Sequence, residues 1–157
     1  MPIASIRLDD RMIHGQVTTS WVKYLNINLI VVINGDIVED PIQRKVLEFA
    51  CPMGIGFRLC DAAGFVKAYN ENEFEKPNTL VIFAKVKDVV EVIRQGISFS
   101  SLNIGNLKFL PGKTQLSKSV FVNEEEKQYL KEIHEKGIEL DVRMLPTDKK
   151  INISKLL

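Results

Sequence analysis

The chain has 157 residues, enough for one domain with a full core and too few for two of ordinary size. Apolar residues make up 45% of it and charged residues 26%, as in an ordinary globular protein. A net charge of +1 excludes the global basic field that nucleic-acid binders use. The opening MPIASIRLDD lacks the long apolar core of a signal peptide. The strongest apolar run, Leu29 to Ile33, falls far short of the ~20 residues a membrane helix needs, so a cytoplasmic protein is expected. Cys51 and Cys60 show no CxxC spacing and have no His pair beside them; they read as buried free thiols, and no metal site is predicted.

The first strand is predicted over residues 3–8, followed by a charged turn. A helix comes next, with Ile13, Val17, Trp21 and Tyr24 on one buried face, ending at Asn26 and Asn28. Leu29 to Ile33 is a continuous β-branched run, the mark of a parallel strand covered on both faces. Asn34-Gly35-Asp36 is turn chemistry. Asp40-Pro41 then gives an N-cap with proline at the first helical position, and Ile42, Val46, Phe49 and Ala50 form a helical stripe. Pro52 and Gly54 stop that helix.

A third strand is expected over 55–59, and Asp61 caps a helix over 62–69. The polar NENEFEKPN segment is a loop. Thr79 to Phe83 is the fourth strand, and Val86, Val89, Val90 and Ile93 define a helix over 86–94 closed by Gly96. A fifth strand covers 102–105 and another 119–122. Asn123 with Glu124, Glu125 and Glu126 is a capping-box helix start; Tyr129, Leu130 and Ile133 are its buried side and Gly137 ends it. A last strand runs over 138–145 before a C-terminal turn. Strands alternating with helices imply an α/β fold: an open, mainly parallel sheet with helices on both faces, and antiparallel edge strands in the C-terminal third. One domain over 1–157 follows.

The chemistry concentrates in the turn after the first strand, Asp9-Asp10-Arg11-Met12-Ile13-His14-Gly15-Gln16. In an open parallel sheet, ligands collect beyond the carboxyl ends of the strands, where helices begin. The N–H groups around Gly15, Gln16 and Val17 would be unpaired donors of a helix N-terminus, an anion site that Gly15 leaves open to close approach. Arg11 offers a planar fork of donors to a phosphate. Asp9 or Asp10 could accept from one ring nitrogen of His14 and aim the other outward. That set suits a phosphoryl acceptor, with His14 as nucleophile.

A histidine at a helix start is more often a cap or a surface residue, and the pattern alone leaves three functions open. They are a phosphohistidine carrier, a non-catalytic module that binds an anionic small molecule at the same helix end, and a hydrolase using His14 as base with Thr18 or Ser20. Neither of those last two hydroxyls sits in a GxSxG elbow, which ranks the hydrolase last.

Other constellations carry less. Gly112-Lys113-Thr114 ends like a P-loop, but the position that needs the earlier glycine is Leu107. Lys113 reads as an exposed loop lysine or a contact for an acidic partner or a phosphate. Arg7 reads as an exposed strand residue or a partner contact. His134 reads as a solvated helix residue, Asp36 and Asp40 as turn and cap residues, and Trp21 as core.

DDRMIHGQVTTSW closely resembles the phosphorylation-site signature of the IIB subunits of the mannose-type bacterial phosphotransferase system. LNIGNLKFLPGKTQLSKSVFVNEEE and GIELDVRMLPTDKK are similar to later segments of that family, so the resemblance spans essentially the whole chain. It implies a cytoplasmic phosphotransferase acting from protein phosphohistidine to sugar. His14 would take a phosphoryl group from the IIA phosphohistidine, with Arg11 beside it, and pass it to a sugar bound by the membrane subunits IIC and IID. No cofactor and no nucleic acid are implied; peripheral attachment to the membrane through IIC and IID is, and a homodimer is a possible assembly. Asn106 in Gly105-Asn106-Leu107 departs from the two glycines and methionine of most mannose-like members. With GDIVEDPIQ and the SKLL ending it resembles the N-acetylgalactosamine branch.

Overall fold

Two of the strands are apolar on both faces, and they set the architecture. The computed structural model describes residues 3–157; Met1 and Pro2, the start of the expected domain, lie outside the described residues. Leu29–Ile33 (β2) and Thr79–Phe83 (β4) pair in parallel, Ile30 against Leu80 and Val32 against Ile82. Around them Ile3–Asp9 (β1), Gly56–Cys60 (β3), Ser101–Asn106 (β5), Glu139–Val142 (β8) and Ile151–Asn152 (β9) complete a seven-stranded sheet of order β3-β2-β4-β1-β5-β8-β9. All its pairings are parallel except β8 with β9, the antiparallel edge expected from the sequence. Thr114–Ser117 (β6) and Val120–Val122 (β7) form a separate antiparallel hairpin.

The helices are Gly15–Leu25 (α1), Pro41–Ala50 (α2), Ala62–Asn70 (α3), Val86–Arg94 (α4) and Glu124–Glu135 (α5), and Ser154–Leu156 is a 3-10 turn. The local signals act as read. Asp40 Oδ1 accepts from the Ile42 and Gln43 N–H groups, Asp61 from Gly64, and Asn123 with Glu126 closes a capping box.

The sheet separates two apolar layers. Ile6, Leu8, Val31, Val81 and Phe83 meet α3, α4 and α5 through Phe65, Val89, Val90, Leu130 and Ile133. Ile30, Val32, Leu80 and Ile82 meet α1 and α2 through Val17, Trp21, Val22 and Leu47. So α1 leaves β1 toward one face and α4 leaves the neighbouring β4 toward the other. That reversal opens a crevice at the carboxyl ends of β1 and β4.

Several expectations need correction. Tyr24 is 61% exposed rather than on the buried stripe of α1. In α2 only Leu47 is buried, while Ile42, Val46 and Phe49 face outward. The strand over 138–145 stops at Val142, and the β6 hairpin strand had no counterpart in the sequence reading. Arg7 is 2% exposed, not a surface residue.

Candidate active site

The loop after β1 is shaped by backbone before side chains. Met12 takes a left-handed conformation with φ 62°, and its N–H donates to the Asp9 carbonyl at 3.0 Å, which tightens the turn. Gly15 has φ 38°, where a side chain is disfavoured. His14 is the N-cap of α1 in extended conformation, φ −133° and ψ 90°. Its N–H donates to Thr18 Oγ1 at 2.8 Å, and its side chain caps nothing. No side chain therefore fills the first turn, and the donors around Gly15 and Gln16 face an open position. His14, Gly15 and Gln16 are all exposed. The arrangement presents an accessible imidazole beside an uncapped helix N-terminus, which favours anions.

The two aspartates do other work than predicted. Among the described residues neither carboxylate bonds to His14. Asp9 accepts Arg11 Nε at 3.0 Å on Oδ1 and Arg11 Nη2 at 2.9 Å on Oδ2, a bidentate grip reinforced by the Arg11 backbone N–H at 3.0 Å. Asp10 accepts Asn106 Nδ2 at 2.7 Å and the Lys108 N–H at 2.7 Å, so it ties the loop to the segment after β5. The orienter role assigned to Asp9 or Asp10 is thus not formed. Both lie too deeply committed, Asp9 to a guanidinium and Asp10 to a neighbouring loop.

Beneath Asp9 sits a buried polar layer. Arg7 Nη2 donates to Asp9 Oδ2 at 3.0 Å and to the Met144 carbonyl at 3.2 Å; Nη1 donates to the Arg143 carbonyl at 3.1 Å and to Asn103 Oδ1. Arg7 and Arg143 both lie over the Trp21 ring, at 5.4 and 5.3 Å from its centroid. Trp21 is core, as expected, and its Nε1 donates to the Met144 carbonyl at 2.8 Å. Burial pulls the Arg7 guanidinium below the ordinary arginine value, and the adjacent Asp9 carboxylate offsets that shift in part. Asn103 on β5 and Asp141 on β8 continue the layer, with Arg143 bound to Asp141 Oδ2 at 2.9 Å. The layer needs Gly105, since a Cβ there would lie 2.0 Å from Arg7 Nη2 and 2.7 Å from Asp9 Oδ2.

A cleft of about 410 Å³ opens at the crevice, lined by Asp10, Asn34, Lys85, Lys87, Lys108 and Lys113 among others. Lys113 is not a free loop lysine: it pairs with Glu126 at 3.1 Å and is largely buried. Asp36 pairs with Lys85, and Asp40 is the α2 cap. His134 is exposed on α5. Cys51 and Cys60 are free and half-buried; burial pushes the Cys60 thiol up to about 11. Among the described residues no three His, Cys, Asp or Glu side chains gather as metal ligands, and no helix is long and apolar enough to cross a membrane.

Sequence reasoning missed Asn103, Gly105, Asp141 and Arg143, and read Arg7 as exposed or partner-facing where it is buried. A signal was present: β1, β5 and β8 each alternate apolar with polar residues, unlike β2 and β4. Three such strands side by side, carrying both charge signs, mark a shared polar layer.

Residues 3–157 match the family model of the sorbose-subfamily IIB component of the phosphotransferase system. The sorbose-specific EIIB component of Klebsiella pneumoniae is 35% identical over 98% of this chain and 93% of its own length. The mannose-specific EIIAB component of Escherichia coli K12 is 32% identical over the whole chain, which spans about half of that longer relative. Among solved structures, the IIB domain of the Klebsiella pneumoniae sorbose permease superposes with a TM-score of 0.93 at 34% identity, covering 99% of this chain and 95% of that one. The N-acetylgalactosamine-specific IIB component 1 of Escherichia coli superposes at 0.87 with 26% identity, covering 94% and 97%.

Proposed function

The chain belongs to the sorbose-subfamily IIB components of the sugar phosphotransferase system, and on that footing we propose that His14 is its phosphoryl carrier. In this reading one IIB domain over 1–157 works in the cytoplasm, held at the membrane by IIC and IID. It accepts a phosphoryl group from a IIA phosphohistidine. An imidazole nitrogen of His14 attacks phosphorus as the donor nitrogen leaves, so one N–P bond forms while another breaks. The group then passes to a sugar hydroxyl: the His14 N–P bond breaks as the sugar O–P bond forms, and the alcohol proton is released.

The observation that carries the reading is the exposed imidazole at an uncapped helix N-terminus, with the Asp9-held guanidinium of Arg11 in the same loop. Charge on the phosphoryl oxygens is offset by Arg11 and by the donors at Gly15 and Gln16. Asp9 and Asp10 serve by fixing the loop, not by orienting the ring.

For the sugar, the resemblance at Asn106 favours N-acetylgalactosamine or another hexosamine. The relatives are named for sorbose, mannose, fructose and N-acetylgalactosamine, which sets the panel. The test loads the protein from a phosphorylated IIA donor and then adds IIC and IID vesicles with each sugar. Discharge by N-acetylgalactosamine supports the assignment. Loading followed by discharge only with sorbose or mannose refutes the sugar and keeps the carrier. No loading at all refutes the carrier.

A further inference from the structure

Asp9 is 1% exposed, so little water screens its charge. It touches Arg11, which is one-quarter exposed toward the loop, and Arg7, which is buried. If Asp9 had Arg11 as its sole partner, the pair would be neutral, and an arriving phosphoryl dianion would meet a cancelled cation. Arg7 changes that balance. Two guanidinium groups share one carboxylate at 3.0 and 2.9 Å, and the trio keeps a net positive charge.

Arg7 is itself fixed from several sides. Asn103 and the Arg143 carbonyl receive Nη1, the Met144 carbonyl receives Nη2, and Trp21 lies against the guanidinium. Gly105 leaves the space it occupies.

We propose that Arg7 is a positioning residue for phosphoryl transfer: through Asp9 it fixes the guanidinium of Arg11 and leaves the trio with a net positive charge. The inference rests on the reading that His14 carries phosphate and Arg11 offsets it. Arg7 does not touch the phosphoryl group; it acts from below. A purely structural Arg7 would instead fill the layer against Trp21 and have no specific tie to Arg11.

The test compares Arg7→Gln, Arg7→Lys, Arg11→Gln and the double variant Arg7→Gln/Arg11→Gln in the full chain. Phosphoryl uptake from a phosphorylated IIA donor is one readout. Solvent exchange of the Arg11 Nε–H, followed by nitrogen-15 NMR, is the other and needs no transfer. Arg7→Gln is expected to slow uptake about 100-fold, the scale of a misplaced catalytic group. It should also speed Arg11 Nε–H exchange about tenfold, as a local tether opens. Arg7→Lys keeps the charge and restores most of the uptake. In the Arg11→Gln background, Arg7→Gln adds less than about twofold, because coupled residues are not additive.

An Arg7→Gln effect undiminished in that background, or unchanged Arg11 exchange, overturns the proposal. Should Arg7→Gln fail to fold, Asn103→Ala removes one support of Arg7 and is read by the same exchange; no change there overturns it too. If the unaltered protein takes up no phosphate, the carrier reading fails, while the exchange arm still reports whether Arg7 holds Arg11.

Discussion

Asp9 holds Arg11 by both oxygens, Nε on Oδ1 at 3.0 Å and Nη2 on Oδ2 at 2.9 Å. This one pairing converts a flexible loop arginine into a fixed cation at the start of α1. It also explains why Asp9 is unavailable to the imidazole of His14 further along the same loop. The same carboxylate oxygen Oδ2 is shared with Arg7, which makes Asp9 the hinge between the buried layer and the exposed loop.

Asp9→Asn takes from the buried Arg7 its ion-pair partner. Removing one partner of a buried pair costs about 3 kcal/mol or more. Urea unfolding should show a free energy of unfolding lowered by that amount, and phosphoryl uptake should fall as Arg11 loosens. An Asp9→Asn protein as stable as the parent would contradict the burial argument.

Gly105→Ala places a methyl group 2.0 Å from Arg7 Nη2. Arg7 is confined by Trp21 and four hydrogen-bond partners, so the clash has no inexpensive relief, and overpacking of about 3 kcal/mol is expected. At Gly35 the same change meets only the Asp61 Cβ at 3.4 Å, an ordinary contact. Thermal unfolding of both variants should therefore separate them clearly, with Gly105→Ala the less stable.

The apolar stripe of α2 faces outward, with Phe49 87% exposed and Ile42 74% exposed. Phe49→Ser should change stability by less than about 0.5 kcal/mol, the usual range for a surface site. Leu47→Ala on the opposite side should cost about 2–5 kcal/mol, since Leu47 is the buried anchor of that helix. Equal losses from the two would show that α2 packs the other way.

Cys60 gives a pH dependence of defined sign. Its thiol is pushed from the ordinary 9.0 to about 11 by burial, so the fold favours the neutral form. Below pH 9.0 both folded and unfolded chains carry the protonated thiol and the contribution is complete. Between 9.0 and about 11 the unfolded chain ionises first, and stability falls by up to about 2 kcal/mol. Cys60→Ala should flatten that part of the curve in urea unfolding measured from pH 8 to 11.

Much of the fold was legible because local chemistry and tertiary context agreed. β2, β4 and α4 run over the residues that their apolar runs and spacings predicted, and Asp40, Asp61 and Asn123 cap where their side chains suggested. The misses share one cause: a pattern shows which residues lie on one face, not what covers that face. The stripe of α2 is real, yet its helix touches the sheet near an edge through Leu47 alone among its buried residues. Arg7 alternates on β1 as read, but β1 is a central strand with a helical layer on each side, so neither face is outward.

The loop was found from His14, Arg11 and Gly15, which are adjacent in sequence. Its side-chain partners were not, because they come from afar. Asn106 reaches Asp10 across 96 residues, and Arg7 reaches the Arg143 carbonyl across 136. Sequence proximity placed Asp9 and Asp10 near His14 and could not say that each was already occupied.

The direct measurement incubates the protein with a phosphorylated IIA donor and maps the acid-labile phosphoryl group by mass spectrometry at neutral to alkaline pH. One phosphoryl group on His14, absent from His14→Ala and retained by His134→Ala, is the predicted result. Uptake undiminished in His14→Ala, or a label on His134, would contradict it.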